Sequence, residues 1–268
     1  MRISFIGGGK MGEAIARGIL EAGVAARDDV RIAEPIEARR GYLTEKLGVE
    51  VQPSALDVLD DADLLILAIQ PRDLAAAMRD IGPHLTDGHV VISIVAGAAM
   101  DTLLTGLKHS AVIRVMPNTP AQIGAGMTVW TASPDVPEAK IEAARRVLQT
   151  LGEEMYVGNE KLVDMATALS ASGPAYVFLF IEALIDSGVY LGMPRDMARK
   201  LVLQTVAGST RLVEESGLHP AQLKDMVTSP GGTTIEALRT LERGRFRATV
   251  IEAVRAAYEK SKALGASR

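Results

Sequence analysis

The chain has 268 residues, no cysteine, and 29 Lys+Arg against 33 Asp+Glu, a formal charge of −4. That length suggests about two domains with real cores. The absence of cysteine excludes disulfides, thiolate metal sites and thiol nucleophiles. A slightly acidic chain has no overall attraction for nucleic acid or anionic lipid, so neither is expected as a partner. The start, Arg2 then Ile3-Ser4-Phe5-Ile6, is no signal-peptide core. The longest purely apolar runs, 64–69 and 175–181, fall short of the ~18 residues of a membrane span. The expected location is the cytoplasm.

In chain order, strands are predicted at Ile3–Ile6, Val30–Ala33, 64–69, 90–95 and 112–115. Their nearly continuous apolar character fits parallel strands buried on both faces. Helical patterns lie between them, such as Met11, Ile15 and Ile19, or Ile141, Ala144 and Leu148. This alternation predicts an α/β, doubly wound sheet. After Val157 the pattern becomes helical: about 160–170, 174–191, 195–215, 219–227, 233–243 and 246–264. Gly-Pro and Pro-Gly punctuation separates these segments. The reading is a dinucleotide-binding domain over 1–158 and an all-helical domain over 159–268. The segment 175–181 is apolar all round and needs cover on every side. An interface between subunits supplies that cover; a central helix of one bundle is the alternative.

Gly7-Gly8-Gly9-Lys10-Met11-Gly12 places G-x-G-x-x-G directly after a strand and at the opening of a helix. In that context Gly7 permits a tight turn, Gly9 lets a pyrophosphate approach, and Gly12 allows close helix–strand packing. The helix N-terminus offers its free N–H groups to the phosphates. Glu34 closes the second strand, where an acidic residue accepts from ribose hydroxyls and repels a 2′-phosphate. That favours NADH. Arg39 and Arg40 open the next helix and either reach a phosphate or form a solvated helix start.

The second glycine-rich site is Ser229-Pro230-Gly231-Gly232-Thr233-Thr234-Ile235-Glu236. Thr233 and Glu236 have capping-box spacing, so Thr233 is expected to cap the helix. Thr234 then has a spare hydroxyl beside free backbone N–H groups, a place suited to a small carboxylate. An ordinary capped helix is the alternative. The four histidines show no zinc-binding spacing, and no metal is expected. There is no G-x-S-x-G elbow. Arg239, Arg243, Arg245 and Arg247 read as a solvated helix junction.

These residues, with Ala68-Ile69-Gln70-Pro71, Arg114-Val115-Met116-Pro117-Asn118-Thr119-Pro120, Ser172-Gly173-Pro174-Ala175-Tyr176 and Leu223-Lys224-Asp225, resemble the pyrroline-5-carboxylate reductase family. The resemblance runs over essentially the whole chain. It implies NAD(P)H reduction of 1-pyrroline-5-carboxylate to L-proline. It also implies a Rossmann domain and an interlocking helical domain, hence a homodimer or larger homo-oligomer with its active site between subunits. By the same matching, Ile6 to Gly12, Glu34, Ala68 to Pro71, Val95, Ala96, Gly97 and Asn118 line the cofactor. Glu160, Ser229, Gly231, Gly232, Thr233 and Thr234 lie on the substrate side, with Thr234 the catalytic candidate. Gln70 stands where the family usually has lysine, and Ala55 and Met226 where asparagine is frequent. Two competing readings are a β-hydroxyacid dehydrogenase, whose lysine motif is missing here, and a non-catalytic NAD(P) sensor.

Overall fold

In the computed structural model, residues 1–266 are described. The chain forms two compact units, Met1–Gly173 with the stretch from Ala257 onward, and Pro174–Ala256. The strands are β1 (Ile3–Ile6), β2 (Val30–Ala33), β3 (Glu50–Gln52), β4 (Leu64–Leu67), β5 (Val90–Ser93), β6 (Val112–Met116), β7 (Gly126–Ala132) and β8 (Gly152–Tyr156). Helices of the first unit are α1 (Lys10–Glu21), α2 (Glu37–Leu47), α3 (Leu74–Ile81), α4 (Met100–Leu107), α5 (Glu138–Gln149) and α6 (Glu160–Ala166).

The strands make one eight-stranded sheet in the order β3-β2-β1-β4-β5-β6-β7-β8. The first six are parallel; β7 runs antiparallel to β6, and β8 parallel to β7. The two-residue period of a strand sends Leu64 and Ile66 to one face, Leu65 and Leu67 to the other. The first pair joins Ile3, Phe5, Ile15, Ile19, Val147 and Leu148 under α1 and α5. The second joins Leu74, Met78, Leu103 and Leu107 under α3 and α4. Both faces are thus covered, which is why these strands carry no polar alternation.

Three strands, β3, β7 and β8, go beyond the five that apolar runs reveal. β8 carries Glu153 and Glu154 at the sheet's edge, and in β7 Thr128 and Thr131 flank Val129 and Trp130. β4 and β5 end earlier than the runs 64–69 and 90–95 suggest. Their last residues leave the ladder: Ile94 N–H still reaches Leu67 C=O at 3.2 Å, and Ser93 Oγ accepts from Val95 N–H at 3.3 Å.

The division into compact units falls after Gly173, later than residue 158, because α6 packs on the sheet. Its Val163 joins Met116, Val129 and Val157 in a small cluster. The remaining helices are α7 (Gly173–Tyr190), α8 (Arg195–Ser216), α9 (Pro220–Met226), α10 (Thr233–Arg243) and α11 (Phe246–Ala266). They match the helical pattern closely; residues 267–268, assigned to the same domain, lie outside the described residues. α7 has no buried residue, and Val177, Phe178 and Leu179 are 46, 57 and 67% exposed. In α8 only Ala198 is buried. The run Glu160–Tyr190 is, by length and composition, apolar enough to cross a membrane, its most apolar 18-residue stretch having mean hydropathy 1.6. Counting only unbroken apolar residues misses it, because Ser170, Ser172, Glu182 and Asp186 break the run into short pieces.

Candidate functional site

At the carboxyl edge of the sheet, each glycine of the fingerprint answers a separate constraint. Gly7 has φ +102°, and a Cβ there would lie 2.5 Å from the Ala68 carbonyl oxygen. A Cβ on Gly12 would sit 2.6 Å from Gly7 O, so α1 packs directly against the turn. Gly9 caps α1 in an extended conformation without a side-chain hydrogen bond, and nothing lies within 4 Å of its Cβ position. The first N–H groups of α1 have no intrahelical acceptors, and Lys10 and Met11 begin that turn. Open space beside unpaired donors fits the pyrophosphate of a dinucleotide.

The neighbouring loops gather at the same edge. Ile6 C=O accepts from Ala68 N–H at 2.9 Å, and Gly7 N–H donates to Ala33 C=O at 2.8 Å. Ile69 is half-buried and Gln70 exposed, and Pro71 opens a short 3-10 turn. After β5, Val95 is buried, Ala96 exposed and Gly97 left-handed, with Ala98 N–H closing on Val95 C=O at 3.2 Å. Strand order reverses between β1 and β4, and such switch points are where open α/β sheets bind ligands.

Glu34 is 7% exposed. Its carboxylate accepts from Gly8 N–H at 3.1 Å and Ile36 N–H at 3.0 Å. The arginines that follow are not a solvated helix start. Arg39 Nε donates to Gly8 C=O at 2.7 Å, its Nη2 pairs with Glu13 at 2.6 Å, and its guanidinium lies over the Tyr42 ring. Arg40 Nη1 donates to the carbonyls of Glu34 and Pro35 at 3.1 and 2.7 Å. Arg39 braces the loop that carries the glycines, and Arg40 braces the turn that follows β2.

Two expected site residues have internal tasks. Asn118 accepts from Met127 N–H at 3.0 Å and donates to Ser170 Oγ at 3.3 Å, fastening the turn after β6 to β7. Glu160 Oε1 accepts from Met100 N–H at 2.6 Å and from Arg114 Nη1. Arg114 Nη2 also pairs with Asp164 at 2.6 Å, while its buried Nε has no partner. This cluster joins β6, α6 and the first turn of α4. Arg114 is the organiser that sequence reasoning passes over. Its signal is present, since a guanidinium inside the buried run Val112–Met116 demands carboxylates from elsewhere.

In the helical unit, the loop entering α10 differs from expectation in one respect. Gly232, not Thr233, is the N-cap, and no side chain caps the helix. Gly231 takes φ +69° and Gly232 N–H reaches back to Ser229 C=O at 3.1 Å, so the turn closes one residue early and Thr233 falls inside the helix. Glu236 pairs with Arg239 at 3.2 Å instead of reaching back. A Cβ on Gly232 would lie 2.5 Å from Ser229 Oγ. The cap position thus leaves first-turn N–H groups open, with Thr233 exposed and Thr234 half-buried beside them.

A pyrroline-5-carboxylate reductase of Synechocystis sp. is 42% identical to this chain, over 99% of it and 98% of the relative. This chain belongs to the pyrroline-5-carboxylate reductase family. The enzyme of that name from Escherichia coli K12 is 40% identical over 99% of both chains. The crystal structure of Plasmodium falciparum pyrroline carboxylate reductase with NADP bound is 34% identical, with a TM-score of 0.91 over 99% of this chain and 98% of that one. Residues 160–264 match the family model for pyrroline-5-carboxylate reductase dimerisation, and residues 2–97 one described as NADP oxidoreductase, coenzyme F420-dependent. The reductase is therefore a Rossmann-type oxidoreductase with a dimerisation region, and that region contains the apolar helix α7 and the exposed apolar side chains of α8.

Proposed function

We propose that this reductase converts 1-pyrroline-5-carboxylate to L-proline, the last step of proline biosynthesis, with NAD(P)H as reductant. The observation that carries the reading is the fingerprint loop, with its open Gly9 and unpaired first turn of α1, in a chain of this family. Bound NAD(P)H supplies hydride to the imine carbon. The protein's task is to hold the reactants in near-attack geometry. Ile6 to Gly12 cradle the pyrophosphate, Glu34 meets the adenosine ribose, and Ala68 to Pro71, Val95 to Gly97 and Asn118 shape the nicotinamide side. Asn118 and Glu160 act largely by bracing those loops.

On the substrate side, the N–H groups at the start of α10 take the carboxylate, with Ser229, Gly231, Gly232 and Thr233 forming the turn. The Thr234 hydroxyl hydrogen-bonds the ring nitrogen or the carboxylate. A ring nitrogen protonated from solvent already activates the imine, so no acidic side chain is required. The apolar exposure of α7 and α8 supports a homodimer or larger homo-oligomer. A second copy, not lipid, covers the Glu160–Tyr190 run in this reading, and the enzyme works in the cytoplasm. Cofactor oxidation with the cyclic imine tests the function against the hydroxyacid alternative. Oxidation with the imine supports it; turnover of β-hydroxyacids with none of the imine overturns it.

A further inference from the structure

We infer that this reductase selects NADH over NADPH, and that Glu34 is the residue that discriminates. The inference rests on the dinucleotide reading of the fingerprint and goes further by naming which dinucleotide.

In sheets of this class the side chain at the end of β2 meets the 2′ position of the adenosine ribose. Here that side chain is a carboxylate held in place by the loop itself. One oxygen accepts from Gly8 N–H at 3.1 Å, the other from Ile36 N–H at 3.0 Å, and the backbone N–H of Glu34 bonds to Gln52 C=O at 2.9 Å. With only 7% of the residue exposed, the carboxylate has little room to swing aside. Its remaining lone pairs suit ribose hydroxyl donors, because an ionised carboxylate accepts about four hydrogen bonds. A 2′-phosphate brings only acceptors and negative charge to the same place.

Tolerance of that phosphate requires a cation turned towards it. Of the two cations of this corner, Arg39 is committed elsewhere and Arg40 is held through one nitrogen only. Arg39 spends its Nε on Gly8 C=O, its Nη2 on Glu13 and its face on Tyr42. Arg40 is drawn through Nη1 to the carbonyls of Glu34 and Pro35. Freeing Arg39 would unbrace the glycine loop that holds the pyrophosphate, so cation rescue carries its own penalty. The corner sets a fixed carboxylate toward the hydroxyls, and against a phosphate that carboxylate stands beside a single guanidinium, Arg40, already held by two carbonyls.

The test is calorimetric titration of the full chain, without substrate, with NADH and with NADPH. The expected Kd for NADH is lower by on the order of tenfold or more, the scale of one hydrogen bond to a charged group. Glu34→Gln keeps the shape and removes the charge, and Glu34→Ser opens the corner. Both lose part of the loop's bracing and bind both cofactors more weakly. The ratio of the two Kd values nevertheless shifts towards NADPH by about tenfold in each. Wild-type protein that binds NADPH as tightly as NADH overturns the inference and leaves the proposed reaction standing. An unchanged ratio in Glu34→Gln removes Glu34 as the discriminator. Binding of neither cofactor overturns the dinucleotide reading and this inference with it.

Discussion

Replacing Arg114 by methionine should destabilise the sheet unit by about 2–3 kcal/mol. Arg114 is 3% exposed in its side chain, while Glu160 and Asp164 retain 34 and 29%. Each charge-assisted bond is worth about 1.5–3 kcal/mol, and the partial solvation of both carboxylates favours the lower end, hence ~3 kcal/mol for the two. Methionine also removes the buried, unpartnered Nε, which recovers up to ~1 kcal/mol. The remaining loss corresponds to a fall in Tm of roughly 4–10 °C for a chain of this size. Thermal unfolding followed by circular dichroism, with a urea titration alongside, reads it directly. The triple change Arg114→Met, Glu160→Gln, Asp164→Asn should recover much of the loss. No carboxylate is then left without its cation, and the amide oxygen introduced at position 160 still accepts from Met100 N–H. A single variant within ~0.5 kcal/mol of wild type, or a triple variant less stable than the single, would refute the reasoning.

Thr234→Val should keep the fold and NADH affinity yet lower kcat/KM for the imine about tenfold or more; wild-type efficiency would withdraw Thr234 from the site. Thr233→Ala should cost under ~0.5 kcal/mol, well below the ~1 kcal/mol of a lost cap, since the structure gives the cap to Gly232. The Lys140 ammonium, 2.6 Å from Asp63, holds that carboxyl below the ordinary carboxylate value, with Arg2 N–H assisting. A lowered folded-state pKa contributes stability above the unfolded carboxylate value and loses it as pH falls through the folded one. Asp63→Asn should therefore be less stable at neutral pH by at most about 1 kcal/mol for this part-exposed pair, with the gap in Tm closing in acid. A gap that widens in acid would contradict this. Sedimentation at low concentration should find no folded monomer, given the exposed faces of α7 and α8; a stable, active monomer would count against the oligomer.

What the sequence discloses follows from which signals are local. The β1–Gly7-Gly8-Gly9–α1 unit is legible because the turn, the helix start and the phosphate donors lie within a few residues. The five apolar strands are legible because burial on both faces leaves no polar positions. β8 hides because an edge strand tolerates Glu153 and Glu154, of which Glu154 takes the Trp130 indole N–H at 2.6 Å. The Arg114 cluster hides because its acids arrive from α6, far along the chain. Thr233 shows the limit of spacing rules: Thr and Glu at capping-box distance fit Thr233 as cap, yet Gly231 and Gly232 close the turn first. Arg39 and Arg40 show another, since both reach backbone carbonyls that no side-chain pattern announces, Arg39 pairing with Glu13 as well.

The most direct test of the account is transfer of label from cofactor to product. The reductase should be incubated with 1-pyrroline-5-carboxylate and NADH carrying deuterium at both nicotinamide C4 positions, and the product analysed by mass spectrometry. The product should be L-proline with a single deuterium at C5, the former imine carbon. Cofactor oxidation without proline, or proline free of deuterium, would contradict it.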